Sequence, residues 1–395
     1  MKILVIHNTY RYAGGEEKVV ERESEMLKRA GHTVIRYERS NSEFDDLSMG
    51  NLLRFPFESI WSNRTVHELT QLIEREQPDL AHIHNTHLMI TPAAHHACYN
   101  LGVPVVQTYH NYRTLCPSGT FFRDGHICED CLTEPMMTPA LQHRCFRGSR
   151  TRTALVIGRE LYHRHIDTWD KQVDVGITPS HFTRNKLIEA GFDGERLVVK
   201  PHFLPYDPQP RASEEDEGYM LYIGRLSPEK GIGLLLNTWR LIPHIPLKII
   251  GDGPDQHKVE LFKHEMPNAQ LSSYGALAKD DIIRAIKKAR AIIFPSTCYE
   301  TFGMVIIEAY ACGVAVIGSG HGAPKEIIAD GVTGLTFSPI TAESLSERVK
   351  YLWEHRTEAH EMGRNARQAF LEHYTQDTNL HQLESIYAEA SRRHA

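Results

Sequence analysis

No stretch of this chain approaches the roughly 18–20 consecutive apolar residues a helix needs to cross a bilayer. Excess positive charge is missing too, since 44 Lys and Arg against 50 Asp and Glu leave a formal net charge of −6. A general nucleic-acid binder would be basic overall, so no nucleic-acid partner is expected. Seven cysteines among 395 residues are too few and too unevenly spaced for a disulfide scaffold, and a reducing cytoplasm is the expected compartment. The amino terminus, MKILVIHN, holds one lysine and a very short apolar stretch before turning polar. It reads as a buried first strand rather than a signal peptide. No G-x-G-x-x-G follows that strand, which counts against a nicotinamide dehydrogenase.

What is present has the balance of a globular protein, 41% hydrophobic and 24% charged. The length suits two domains of roughly 150–200 residues. Apolar runs at 3–6, 33–37, 80–83 and 103–108 alternate with helical stretches at 16–30, 64–76, 87–100, 150–170 and 180–190. Such continuous runs suit strands covered on both faces, so the sheet should be parallel. A proline-rich, acidic passage at 205–218 reads as a linker. Strand patterns resume at 219–223, 247–250, 270–274, 291–294 and 314–317, and charged helical sequence fills 342–393. The expected class is α/β, with two βαβ domains joined by a hinge. Ligands bind beyond the carboxyl ends of strands in such sheets, so a cleft between facing domains is the expected site.

The chemistry-bearing residues fall in strand-to-helix loops. Glu300 follows the 291–294 strand in PSTCYETFG, and Glu308 lies about two turns into the next helix. Amide groups at that helix start suit an anion, and the two carboxylates suit sugar hydroxyls. A helix cap at Glu300 and a surface ion pair at Glu308 would explain the same spacing. The loop GRLSPEKG, 224–231, carries Arg225 and Lys230. Arg225 offers a bidentate grip on phosphate and Lys230 a mobile point charge, although a solvated charged loop has the same composition. Gly251 and Gly253 form another tight turn, Gly14-Gly15 sits between the first strand and helix, and His110 follows the 103–108 strand.

Together these segments resemble the large retaining glycosyltransferase family 4, whose GT-B fold pairs two Rossmann-like domains with parallel sheets facing across a deep cleft. The resemblance rests on GGEEKVV at 14–20, YHN at 109–111, VGITPS at 175–180, GRLSPEKG at 224–231 and GDGP at 251–254. It continues through PSTCYETFGMVIIEAYACG at 295–313 and GVTG at 331–334. It implies an acceptor-side domain at 1–205, a nucleotide-sugar domain at 206–375, and a last helix, 376–395, packing back on the first domain. Arg225 and Lys230 would neutralise a leaving diphosphate, Glu300 would position the donor sugar, and Glu308 would hold the ribose. His110 would contact the sugar near the reacting carbon, and Gly15 would let its loop approach the diphosphate. Gly251, Gly253, Thr301, Phe302 and Gly303 complete the implied donor site. The implied activity is retaining hexosyl transfer without a catalytic metal or cofactor, from a UDP-, GDP- or ADP-sugar to a glycan or lipid-linked acceptor. Surface polysaccharide or glycoconjugate synthesis is the implied setting. A GT-B nucleotide-sugar epimerase and a non-catalytic nucleotide-sugar-binding protein are the alternative readings. Two departures stand out: Lys200-Pro201-His202-Phe203 where the family often has Asn-Gly, and Gly313-Val314-Ala315-Val316 where it has Gly-x-Pro-Val.

Cys116, Cys128, Cys131 and Cys145 cluster in an irregular insertion at about 111–148. Four thiolates suit a tetrahedral structural zinc, while free thiols or a disulfide remain open alternatives. Arg144, Arg147, Arg150, Arg152, Arg159 and Arg164 share their stretch with Glu160 alone. That run reads as a solvated face, or as a contact with the anionic inner face of a membrane.

Overall fold

The computed structural model describes residues 1–11, 14–46, 49–212 and 215–395. Residues 213 and 214 of the expected linker therefore lie outside the described residues. The chain divides into two compact units. Unit 1 comprises Met1–Phe121, Cys128–Pro201 and Asn379–Ala395, and unit 2 comprises Phe122–Ile127 and His202–Thr378.

Unit 1 is built on a six-stranded sheet containing β1 (Lys2–Thr9), β2 (Thr33–Ser40), β3 (Leu80–Asn85) and β4 (Val105–Thr108). After a small antiparallel hairpin of β5 (Phe122–Arg123) and β6 (His126–Ile127), the sheet adds β7 (Val175–Thr178) and β8 (Leu197–Val199). Its order is β2-β1-β3-β4-β7-β8, parallel throughout. Ile3, Leu4, Val5 and Ile6 are buried, as strands covered on both faces must be. Unit 2 repeats the plan with β9 (Met220–Ile223), β10 (Leu247–Ile250), β11 (Leu271–Tyr274), β12 (Ala291–Phe294), β13 (Ala315–Ser319) and β14 (Gly334–Phe337). These run parallel in the order β11-β10-β9-β12-β13-β14, the doubly wound arrangement in which strand order reverses beside β9. Trp239, Ile249 and Phe337 share one buried cluster of this unit, and Ile292, Ile307 and Tyr310 share another.

Side-chain caps begin several helices. Ser62, Ser149, Ser180 and Thr341 accept hydrogen bonds from the amides of Thr65, Arg152, Thr183 and Ser344, fixing where each helix starts. Three expectations need correction. The helix expected from 87 starts at Ala93, because Leu88 and Thr91 adopt positive φ and Pro92 pre-sets the helical φ just before it. The stretch 150–170 is two helices, Arg150–His165 and Thr168–Lys171, separated at Asp167 by φ +54°. The strands β7, β8 and β14 fall outside the expected set; β8 has three residues and ends at Lys200-Pro201, too short for its periodicity to register. Among the described residues no helix is long and apolar enough to cross a membrane.

The Lys200-Pro201 departure has a structural consequence inside unit 1. The Lys200 ammonium is buried, donating to Glu23 at 2.6 Å and to Asn379 of the last helix at 3.0 Å. Asn379 donates in turn to the Pro201 carbonyl at 2.7 Å. Tyr387 and Glu384 of the same helix bond His82 and His32. A buried ion pair becomes costly when one partner is removed, because the other charge is left without compensation. Lys200→Ala is expected to lower the unfolding free energy by about 3–5 kcal/mol, read from urea midpoints at unchanged slope. A loss below about 1 kcal/mol, the range of surface pairs, would show that the pair contributes little.

Candidate functional site

In unit 2 the loops that follow β9, β10, β12 and β13 are locked to one another by backbone contacts. Gly231 has φ +75°, and a Cβ there would stand 1.9 Å from the Pro295 carbonyl oxygen. Gly251 has φ +136°, with a Cβ position 2.0 Å from the Gly224 carbonyl. No other residue fits either place without moving a main chain. Gly253 lies against the Leu226 backbone, where Leu226 N–H donates to Asp252 O and Asp255 N–H donates to Leu226 O, both at 2.9 Å. Thr297 N–H donates to Glu229 O at 3.0 Å, and the Ser319 hydroxyl donates to Ser296 O at 2.6 Å.

This locking brings two of the expected site residues into direct contact. Lys230 Nζ lies 2.6 Å from Glu300 Oε1, and the Ser296 hydroxyl also donates to that carboxylate. The Lys230 side chain keeps 35% of its surface exposed, so the pair faces outward from the strand ends. Crowding strips water from the ammonium and works to lower its pKa, but the Glu300 charge and hydrogen bond, with Cys298 and Glu229 adding, together hold it above the ordinary lysine value. Beside the pair, burial pushes the Cys298 thiol up to about 12. Arg225 is exposed on the same loop as Lys230, with its carbonyl held by the Tyr222 hydroxyl at 2.8 Å. Glu308 is half-buried on the helix Met304–Ala311. Thr301 and Gly303 are half-buried ahead of that helix, whereas the Phe302 ring is buried against His202 and Tyr374.

Unit 1 holds His110 and Gly15. His110 follows β4, and its Nε2 stands 3.0 Å from Nδ1 of His84, with the rings stacked. His84 packs against His82 at 4.0 Å, and burial holds both imidazoles in the neutral range, His82 near 4 and His84 well below its ordinary value. Gly15 is exposed at the first residue of its helix. Next to it, Glu16 was absent from the expected site, since a glutamate in a helix first turn reads as a dipole partner. Only the fold surrounds it with Tyr10 at 3.3 Å, Asn111 at 3.3 Å and the charge of Arg113, itself bonded to Tyr10. Burial raises the Glu16 pKa to about 7, against the pull of Arg113.

None of the seven cysteines is joined in a disulfide, and Cys116 and Cys131 are buried while Cys128 and Cys145 are partly so. The disulfide alternative is therefore not the form described. Burial drives the Cys131 thiol up to about 12, and negative charge on Cys116, Cys145 or Cys128 adds to the rise, so those three lie within electrostatic reach of Cys131. More tightly grouped, with donor atoms all within 4.8 Å, are Glu23, His82 and His84. The Lys200 ammonium already occupies the Glu23 carboxylate there.

Two family models divide the chain between them. Glycosyltransferase Family 4 matches residues 13–207, and Glycosyl transferases group 1 matches residues 206–369. A sulfoquinovosyl transferase of Arabidopsis thaliana is 27% identical over 303 residues, covering 75% of this chain and 54% of the relative. The chain spans about two fifths to three fifths of the length of the curated relatives it matches, 54%, 50% and 61% for three of them and 38% for another. Among solved structures, HepE from Anabaena in complex with UDP superposes with a TM-score of 0.71 at 16% identity, covering 98% of this chain and 100% of that one. Sucrose-phosphate synthase from Thermosynechococcus elongatus gives 0.73 at 18% identity, covering 98% of each chain. At these identities the structures speak for the fold.

The Glu16 environment makes a pH prediction. Its folded pKa of about 7 exceeds the ordinary 4.5, so the folded chain binds more protons across that window. This contribution is full below 4.5 and is lost as pH rises through 7. Glu16→Gln, neutral at every pH, is expected to raise the urea midpoint over wild type at pH 8, with the advantage gone by pH 4.5. Parallel pH profiles for the two proteins would rule out the shifted carboxyl.

Proposed function

Because the chain belongs to the family 4 glycosyltransferases, of GT-B type, we propose that it is a retaining hexosyltransferase using a nucleotide-diphosphate sugar. The Lys230–Glu300 contact carries this reading. It joins a cation suited to a diphosphate with a carboxylate suited to sugar hydroxyls, at the strand ends where doubly wound sheets bind nucleotides. A diphosphate leaving group departs with growing negative charge, and fixed cations facing that charge stabilise the transition state. Lys230 and the exposed Arg225 fill that role, so side-chain cations carry the electrostatic work without a catalytic metal. Glu300 orients the donor sugar, and Glu308 holds the ribose. Gly251, Gly253 and the backbone of 301–303 let main chain approach the nucleotide, with the Phe302 ring serving the core. His110 and Gly15 keep the roles that the resemblance gives them, contact near the reacting carbon and close approach to the diphosphate. The acceptor is a glycan or lipid-linked molecule, in the synthesis of a surface polysaccharide or another glycoconjugate. The protein works in the cytoplasm, at or near the inner face of a membrane.

Lys230→Ala and Glu300→Gln are each expected to lower kcat by about 10²–10³-fold while the circular dichroism spectrum is retained. UDP-, GDP- and ADP-sugars, screened by thermal shift, should include one that stabilises wild type and loses its effect in Lys230→Ala. Turnover within about threefold of wild type for both variants would remove the assignment.

The cysteine insertion is proposed to hold a structural zinc through Cys116, Cys128, Cys131 and Cys145, since four thiols gathered in one insertion, with three of them acting electrostatically on Cys131, form a donor set that suits a divalent cation. Native mass spectrometry of protein purified without chelator should show one zinc per chain, lost in Cys131→Ser together with several degrees of melting temperature. A zinc-free wild-type spectrum would dismiss the metal.

A further inference from the structure

A cavity of about 170 Å³ in unit 1 has no part in the donor chemistry above. It is small beside a whole ligand site of several hundred Å³ and suits one portion of a larger molecule. Phe44, Phe55, Leu88, Phe146 and Leu155 give it aromatic and aliphatic walls. Phe44 and Phe55 meet edge to face at 4.8 Å, and Phe146 meets His87 at 5.6 Å. Leu88 holds φ +91°, a conformation rare for leucine, pinned by its neighbours. Met89 and Ile90 amides donate to Asn8 Oδ1 at 2.9 and 3.2 Å, and Arg39 donates to Met89 O at 2.9 Å.

Three arginines enter this apolar surround. Arg159 is committed to Glu160 at 2.6 Å and to His87 at 2.7 Å. Arg147 and Arg152 are exposed, and neither has a carboxylate partner among the described residues; the Arg147 guanidinium rests 5.6 Å from the Phe146 ring centre. An uncharged glycan could stack on the aromatic walls but would leave both guanidiniums without a counter-charge, and a bare anion would ignore the walls. Hydrocarbon gains from leaving water for those walls, and the guanidinium fork matches phosphate oxygens. His87 and Arg159 also line a second hollow of about 50 Å³ that includes His110, so the apolar cavity adjoins the strand end where that histidine stands.

We propose that this cavity takes an apolar chain whose phosphate end is gripped by Arg147 and Arg152. Resting on the transferase reading, the occupant is the carrier of the sugar acceptor, its reacting end directed along the shared wall toward His110.

The test titrates farnesyl monophosphate, farnesol and inorganic phosphate into the full chain by calorimetry, without donor. Farnesyl monophosphate should bind at least about tenfold more tightly than farnesol, and inorganic phosphate should give no heat. Leu155→Asp and Arg147→Glu, made separately, should each weaken farnesyl monophosphate by about tenfold or more. Donor hydrolysis to water without acceptor should keep its wild-type rate in both. Equal binding of alcohol and phosphate, binding of inorganic phosphate as tight as that of the amphiphile, or unchanged affinity in both variants would overturn the cavity assignment. A chain that hydrolyses a nucleotide sugar but ignores the probe loses this assignment alone. One that binds the probe and hydrolyses no nucleotide sugar loses the transferase reading alone.

Discussion

Two main-chain segments of unit 2 approach so closely that a single methyl group would separate them. With Gly231 against the Pro295 carbonyl, the loop after β9 is pressed onto the loop after β12, and Lys230, the residue just before that glycine, meets Glu300. The ion pair is thus a product of backbone geometry rather than of long side chains finding one another. A pair held this way has already lost much of the conformational freedom that makes exposed ion pairs weak. The fixed cation then faces whatever binds at the strand ends with little further ordering. The glutamate keeps the lysine charged, and the lysine supplies the donor that the carboxylate would otherwise take from water.

Unit 1 applies a different physical logic to its interior. Its strands carry His7, His82 and His84 into the core, and burial keeps those imidazoles uncharged. A neutral ring needs no counter-charge: His82 meets Tyr387 and Thr108 at 2.8 Å, and His84 meets His110 at 3.0 Å. The Lys200 ammonium is buried beside them and is matched by Glu23 and Asn379. The last helix therefore contributes polar partners as well as apolar packing to the unit. His110 stands at the outer end of this buried set, held in orientation by groups that cannot readily change charge.

The basic stretch after the cysteine insertion divides into residues with different fates. Arg159 and Arg164 are drawn inward, to Glu160 and to the Thr114 carbonyl. Arg147 and Arg152 stay outside and border an apolar cavity. A run that looks uniform as sequence thus separates into structural and surface cations, because the helix Arg150–His165 turns successive positions toward different surroundings.

The apolar runs of 291–294 and 247–250 read as strands with the bounds that the structure gives them, because burial on both faces writes itself locally as continuous hydrophobicity. The strand-to-helix loops bearing Arg225, Lys230 and Glu300, and the helix bearing Glu308, were legible for the same reason, following from strand positions plus charge. Short strands such as β8 and the true start of the helix at Ala93 were not legible, since pairing partners and the positive φ values of Leu88 and Thr91 decide them. Glu16 and His84 also escaped notice. Their character comes from Arg113 and Asn111, nearly a hundred residues away, and from His110, twenty-six residues on. Sequence alone determined the α/β class and which loops carry charge, because those depend on periodicity and neighbours along the chain. Tertiary structure decided which charges touch, which titrate outside their ordinary range and which arginines remain unpaired, because each depends on distance and burial between segments that only folding brings together.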